Sequence, residues 1–367
     1  MLPFPVLLAD IGGTYARFAI LPRRDADPTP ILKVATAGFP GPVEAIRSYL
    51  DRPGVVRPCA AFLAVAGRVG SGVTRLTNAP WRFDLAEIGI ALGLDAVRVV
   101  NDYVPLAAAL TILDQADPAE LMRIGPRVTG AGTRLVIGPG TGLGAAALIP
   151  AGERYLIQTT EAGHTGFGPC EPDDGLPWHR LMPSEGRLTA ETLLSGPGLV
   201  RIARALAAAR DAAVGWRLPA EVLDGRAGNA VTSEAVEQFT RLLGRFAGDL
   251  SLVFGATGGV FLAGGIAPRI IADLQGDAFH AAFEQKPPFH EAMRAVPRFV
   301  ITRAEPAIDG LAELLRADGR FLFPGQDWRR VEADQGRAPT PAAPWGPLAA
   351  EPKSEPHVLR KPHGRGR

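Results

Sequence analysis

Two cysteines in 367 residues, Cys59 and Cys170, are too few for a Cys-rich zinc site or a disulfide scaffold. So low a count fits a reducing compartment, and a cytoplasmic location is expected. Nowhere does a Gly-Lys pair occur, which excludes a Walker-type phosphate loop. Long apolar runs are also missing: no stretch approaches the ~20 residues that a membrane helix needs. The apolar opening "MLPFPVLLADIGG" has no basic segment before it and runs into a glycine turn, so it reads as a buried strand and not as a signal peptide. Neither sign of charge prevails, since 39 basic and 38 acidic residues leave a formal +1. That balance gives no electrostatic footprint for nucleic acid or an anionic membrane, and small-molecule chemistry is the expectation.

What is present is ordinary globular material, 47% hydrophobic and 21% charged, in a chain long enough for two cores. Its end differs. From Phe323 onward prolines interrupt every candidate helix and apolar periodicity is lost, so residues 331–367 read as a disordered, Pro-rich tail.

Elsewhere strand-like and helix-like segments alternate, which indicates an α/β fold. "VRVVND" (Val97 to Asp102) is a β-branched run preceded by a helical pattern, "LAEIGIALGL", that Asp84 can cap. A further helix is expected from Tyr103 to Leu113. "SEAVEQFTRLLGRFAGDLSLVF" carries Val236, Phe239, Leu243, Phe246, Leu250 and Val253 at amphipathic spacing, and "GGVFLAGG" reads as a buried strand.

Two glycine turns share one plan. "LLADIGGTYARFAI" and "LVIGPGTGLGAAAL" are each an apolar strand, a Gly-rich turn containing Thr, and an apolar continuation that looks like a second strand. Each is therefore a β-hairpin, unlike the Rossmann fingerprint, whose glycines lead into a helix. Either turn alone could be a plain tight hairpin. As a pair, with a third turn in "LAGGIAPR", they suggest a duplicated domain whose turns approach a phosphate chain from both sides. Glycines admit backbone N–H groups to phosphate oxygens, and Thr14 and Thr141 add hydroxyl donors. Asp10 would repel phosphate directly, so its place beside the turn makes sense as a partner for Mg²⁺ through coordinated water.

Eight ordered segments between Val6 and Leu315 carry a resemblance. They are "ADIGGT", "AVAGRV", "LTNAPW", "VVNDY", "IGPGTGLG", "EAGH", "AETLLSGPGL" and "GGVFLAGGIAPR". In this order the chain resembles the bacterial glucokinase family, ATP-dependent hexokinases of the two-lobed, actin-like (ribonuclease H-like) ATPase fold. The resemblance implies a small α/β lobe over residues 1–110, completed by a C-terminal helix near 305–320, a large lobe over 111–304, and a cleft between them. It also implies transfer of the γ-phosphoryl group of ATP to the 6-hydroxyl of glucose, and a homodimer.

By the same resemblance Asp102 is the catalytic base, and Asn101, Asp102, Glu161, His164 and Glu191 line the sugar site. Ala9, Asp10, Ile11, Gly12, Gly13, Thr14, Gly138, Gly140, Thr141, Gly142, Gly264 and Gly265 belong to the nucleotide and its Mg²⁺. The residues agree with this assignment in kind. Asn101 and Asp102 stand at the carboxyl end of an expected strand, where open α/β sheets place ligands, and carboxylates and imidazole suit the hydroxyls of a polyol. The competing reading of Asn-Asp is a helix cap. His164 as a metal ligand lacks a second His-rich or Cys-rich segment to complete the set.

Two departures stand out: Tyr15 follows "DIGGT" where the family usually has Asn, and "TGFGP" follows His164 where Val-Asp-Phe-Ala-Pro is usual. They leave two alternatives open, a sugar- and nucleotide-binding regulator with little kinase activity and a kinase for another hexose.

Overall fold

A computed structural model of the chain describes residues 2–330 apart from 71, 77–78, 127–130, 171–174, 184–185 and 213–214. The expected tail, residues 331–367, lies outside the described residues, as do Thr77 and Asn78 of "LTNAPW".

The N-terminal part supplies β1 (Val6–Ile11), β2 (Tyr15–Leu21), β3 (Leu32–Ala35), β4 (Ala60–Val65), a short ribbon of β5 (Thr74–Arg75) and β6 (Arg82–Phe83), and β7 (Ala96–Asn101). Then follow β8 (Leu121–Arg123), β9 (Arg134–Pro139), β10 (Leu143–Ala151), β11 (Arg154–Thr160), β12 (Gly259–Leu262), β13 (Arg298–Ile301), β14 (Phe321–Leu322) and β15 (Gln326–Arg329). They form two main sheets, ordered β15-β7-β4-β1-β2-β3 and β14-β11-β10-β9-β12-β13-β8. In each, a hairpin (β1–β2, β9–β10) pairs antiparallel, and its first strand also pairs parallel with a later strand (β4, β12). The expected duplication is thus present down to strand order.

Strand period fixes which side chains meet. Successive residues of β1 alternate between faces: Leu7, Ala9 and Ile11 join the core under helices Pro42–Leu50 and Leu85–Leu92. Val6 and Leu8 face a layer between the two sheets, formed by helices Tyr103–Ala109 and Pro306–Arg316. Asp10 has the parity of Val6 and Leu8, so it faces the space between the sheets and not the outer core. The second sheet splits in the same way. Val136, Ala146 and Phe261 face the middle layer, while Leu135, Ala145 and Val260 pack on helices Gly196–Ala208 and Ala230–Phe254.

The middle helices approach very closely. A Cβ on Gly310 would lie 1.9 Å from the Pro105 carbonyl oxygen, so only glycine fits there. Asp84 caps helix Leu85–Leu92 as expected, its Oδ1 accepting from Ala86 and Glu87 N–H at 3.0 and 3.1 Å.

Three expectations change. The helix from Tyr103 ends at Ala109 and not at Leu113; Leu110, Thr111 and Ile112 N–H turn to the carbonyls three residues back, and Arg134 Nη1 donates to the Leu110 carbonyl at 2.5 Å. Val253 is 73% exposed although it shares the periodicity of Phe246 and Leu250, because the long helix runs past the core before ending at Gly255. The segment after Phe323, without helical or alternating pattern, still forms β15 on the edge of the first sheet. Asp327 pairs there with Arg98, Nε–Oδ1 2.6 Å, and the Trp328 ring lies against Gly89.

Candidate active site

Asp10, Asn101, Asp102, Gly138, Gly140, Thr141, Gly142, Glu161, His164, Glu191, Gly264 and Gly265 all line one cavity of about 460 Å³ between the sheets, with Gly12 and Gly13. Ala9 and Ile11 are different: both are fully buried core residues of β1 and stand outside that lining. Thr14 lines the wider groove that opens off the cavity.

The two hairpin turns face each other, with Thr14 Oγ1 and Thr141 Oγ1 3.4 Å apart. Each turn is braced from behind. Buried Thr36 bonds the Gly12 carbonyl through its hydroxyl at 2.9 Å and the Thr14 carbonyl through its N–H at 3.0 Å. Gly196 N–H, at the start of helix Gly196–Ala208, donates to the Gly140 carbonyl at 2.8 Å, and Leu143 N–H donates to Glu191 Oε2 at 2.8 Å. Gly264, at φ +79°, completes the third turn; a Cβ there would lie 2.5 Å from the Pro139 carbonyl oxygen. Braced, glycine-rich backbone from three turns therefore lines one cavity, and such turns can present backbone N–H groups to an anion.

Asn101 takes the role of cap. Its Oδ1 accepts from Tyr103 N–H at 2.9 Å, and its Nδ2 donates to the Gly67 carbonyl at 3.1 Å. The Asp102 side chain makes no capping bond to the helix that follows. Its backbone N–H is anchored to the Val65 carbonyl at 3.1 Å, which fixes the residue at the strand end. Burial, followed by the nearby charge of Asp10, pushes the Asp102 carboxyl up to about 7. A group with such a value can exchange a proton near neutral pH.

Asp10 is also raised, to about 6, chiefly by burial, with Arg17 opposing and Glu305 reinforcing the shift. Arg17 is its hairpin partner, opposite Asp10 in the β1–β2 register, with Nη1 3.3 Å from Oδ2. The same guanidinium bonds Glu305, which precedes helix Pro306–Arg316 in a left-handed conformation, φ +54°. Sequence reasoning missed both residues. The signal for Arg17 was available, because the hairpin register alone sets it across from Asp10; Glu305 is brought in by tertiary structure.

Tyr103 was missed too. Its hydroxyl donates to the Gly138 carbonyl at 2.9 Å, and its ring fills the space that a Cβ on Gly144 would occupy, so the residue beside Asp102 is joined to the opposite hairpin. Glu161 and His164 flank a short turn, Oε2 to Nε2 3.9 Å, with side chains 61% and 53% exposed toward the cavity mouth. Tyr15, in the position that departs from the family pattern, lines the wider groove next to Thr14, with Lys33 Nζ 4.3 Å from its ring centroid.

Among the described residues no group of three or more His, Cys, Asp or Glu could hold a metal ion. Asp10 is a single carboxylate, 17% exposed, beside the glycine turns. This donor set does not make a protein cage, but it fits Mg²⁺ that arrives on phosphate oxygens and keeps most of its waters.

Comparison with known proteins follows the same line. The sequence model of the Glucokinase family matches residues 7–318. A glucokinase of Agrobacterium fabrum is 39% identical over 332 residues, spanning 89% of this chain and 97% of that relative. One from Mesorhizobium japonicum is 41% identical over 323 residues, 87% and 94% of the two chains. The crystal structure of a glucokinase from an Antarctic psychrotroph superposes with a TM-score of 0.72 at 31% identity, covering 86% of this chain and 99% of that one. The expected two-lobed, actin-like ATPase fold is therefore the fold of this chain. No helix among the described residues is long and apolar enough to cross a membrane.

Proposed function

The chain belongs to the glucokinase family, and on that premise we propose that it transfers the γ-phosphoryl group of ATP to the 6-hydroxyl of glucose with Asp102 as general base. The observation that carries this reading is the Asp102 carboxylate, raised to about 7 and lining the cavity onto which the hairpin turns open.

Phosphoryl transfer needs little covalent chemistry from a protein; it needs alignment and compensation of charge. Glucose lies against Asn101, Asp102, Glu161, His164 and Glu191, and ATP reaches in across Gly12–Thr14 and Gly138–Gly142, with Gly264 and Gly265 behind it. Asp102 accepts the hydroxyl proton as the oxygen bonds to phosphorus, while the turns hold the three phosphates and ADP leaves along the groove. The proton moves to a base whose affinity is matched to neutral pH, which is where such transfer is most effective. Asp10 would hold Mg²⁺ through water, with Arg17 and Glu305 fixing its carboxylate. When bound, that ion neutralises charge on the phosphate oxygens.

The reading extends to a small lobe over residues 1–110 closed by helix Pro306–Arg316 and a large lobe over 111–304. A cytoplasmic location and a homodimer complete it, supported by the low cysteine count and by the family resemblance respectively. The test is purified protein with Mg²⁺-ATP and a panel of hexoses, with sugar 6-phosphate measured directly. Glucose should be converted in preference to mannose and glucosamine, and absence of glucose 6-phosphate would overturn the proposal.

A further inference from the structure

Asp102 is tied to one sheet, and the turn of the second hairpin belongs to the other. The Asp102 N–H donates to the Val65 carbonyl at the end of β4, and Asn101 Nδ2 beside it donates to the Gly67 carbonyl, both at 3.1 Å. Gly140, Thr141 and Gly142 join β9 to β10 in the second sheet. A base on one sheet and a phosphoryl group held at a turn of the other react only if the two sheets keep a fixed separation at this point.

Tyr103 spans that separation. Its hydroxyl donates to the Gly138 carbonyl at 2.9 Å, and it lines the cavity together with Asp102 and Gly138. The ring rests in a socket made by Gly138 and Gly144, which stand opposite each other in the β9–β10 register. A Cβ on Gly138 would lie 2.3 Å from the Tyr103 hydroxyl oxygen, and one on Gly144 would lie 2.0 Å from the ring. The Tyr103 side chain alone therefore requires glycine at both positions. The other end of the residue is held as well: Asn101 Oδ1 accepts from Tyr103 N–H at 2.9 Å, and Pro105, two residues on, abuts Gly310. Burial, followed by the nearby charge of Asp102, pushes the phenol above its usual range, so the hydroxyl stays a donor at every working pH. The threonine pair at the turn tips, 3.4 Å apart and exposed, is a looser link.

We propose that Tyr103 is a positioning residue: through its hydroxyl bond to Gly138 it sets the distance between the Asp102 carboxylate and the phosphoryl group held at the β9–β10 turn. This rests on the kinase reading above and deepens it. Tyr103 itself exchanges no proton and need not touch either substrate. Without its hydroxyl both substrates still bind, but the base stands at a variable distance from the attacking oxygen, and a misplacement of about 1 Å can cost on the order of a hundredfold in rate.

The test is Tyr103→Phe, which keeps the ring in its socket and removes only the hydroxyl. Glucose 6-phosphate formation is measured for wild type, Tyr103→Phe, Asp102→Asn and the double variant, with the glucose and ADP affinities of each by calorimetry. Tyr103→Phe should lower kcat by at least about fivefold while both affinities stay within about threefold of wild type. Because the effect runs through the base, adding Tyr103→Phe to Asp102→Asn should change the residual turnover by less than about twofold. A smaller loss of kcat in the single variant, or a loss of either affinity beyond about threefold, overturns the positioning role. A further loss of about twofold or more in the Asp102→Asn background overturns its assignment to Asp102. A wild type that forms no glucose 6-phosphate overturns the kinase reading and this inference together; an active wild type that Tyr103→Phe matches overturns this inference alone.

Discussion

Thr14 Oγ1 and Thr141 Oγ1, 127 residues apart in the chain, lie 3.4 Å from each other at the tips of two hairpins of one plan. Their contact is the meeting point of the two sheets and the place where a phosphate chain would be held from both sides. Thr14→Val and Thr141→Val keep the shape of the side chain and remove the hydroxyl. Since a hydrogen bond to a charged group contributes about 1.5–3 kcal/mol, each should raise the KM for ATP by roughly tenfold or more, with glucose affinity unchanged. Steady-state kinetics with each substrate varied in turn check this, and an unaltered KM for ATP would contradict the placement.

With Asp102 as the proposed base, pH should act on activity and on stability in opposite directions. As a base it must be unprotonated, so kcat/KM should fall below about pH 7, approaching tenfold per unit. The midpoint belongs jointly to Asp102 and Asp10, which interact. Stability runs the opposite way. A carboxyl raised on folding favours the folded state while it is protonated, and that advantage is lost as pH rises through about 7. Asp102→Asn should therefore melt above the wild type at pH 8, with the gap closing between pH 7 and pH 4. A constant gap in Tm across that range would count against the raised value.

Gly310 permits the contact between the two middle helices, where an added Cβ would stand 1.9 Å from the Pro105 carbonyl oxygen. Backbone cannot yield as a flexible side chain can, so Gly310→Ala should cost about 1–3 kcal/mol of stability. Because Pro105 lies one turn after Asp102, kcat should fall more than glucose affinity does. Thermal melts and kinetics together test this; a variant with wild-type Tm would show that the helices have room to separate.

The hairpins, the Asp84 cap and the strand ending at Asn101 were legible because each follows from local pattern: alternation, a capping residue, a run of β-branched side chains. Asp10 facing the cleft follows from parity with Val6 and Leu8. Other features were not legible, each for a physical reason. β15 has no pattern of its own and exists through pairing with β7 and the Arg98–Asp327 ion pair. Val253 continues a helical period beyond the end of the core that the period implies. Glu305 and Tyr103 join the site through contacts across the fold, to Arg17 and to Gly138. Of the residues expected at the nucleotide, Ala9 and Ile11 show the limit of a contiguous motif, since alternate positions of a strand turn away from the face that the others serve.

The central claim is that Asp102 takes the proton from the sugar hydroxyl. Its most direct test is glucose 6-phosphate formation by Asp102→Asn beside the wild type, with glucose affinity measured on both by calorimetry. The amide keeps hydrogen-bonding capacity but cannot accept the proton. Turnover should drop by ~10²–10⁴ while glucose affinity stays within a few-fold. A variant that keeps near wild-type kcat, or one that loses glucose binding together with turnover, would contradict the assignment.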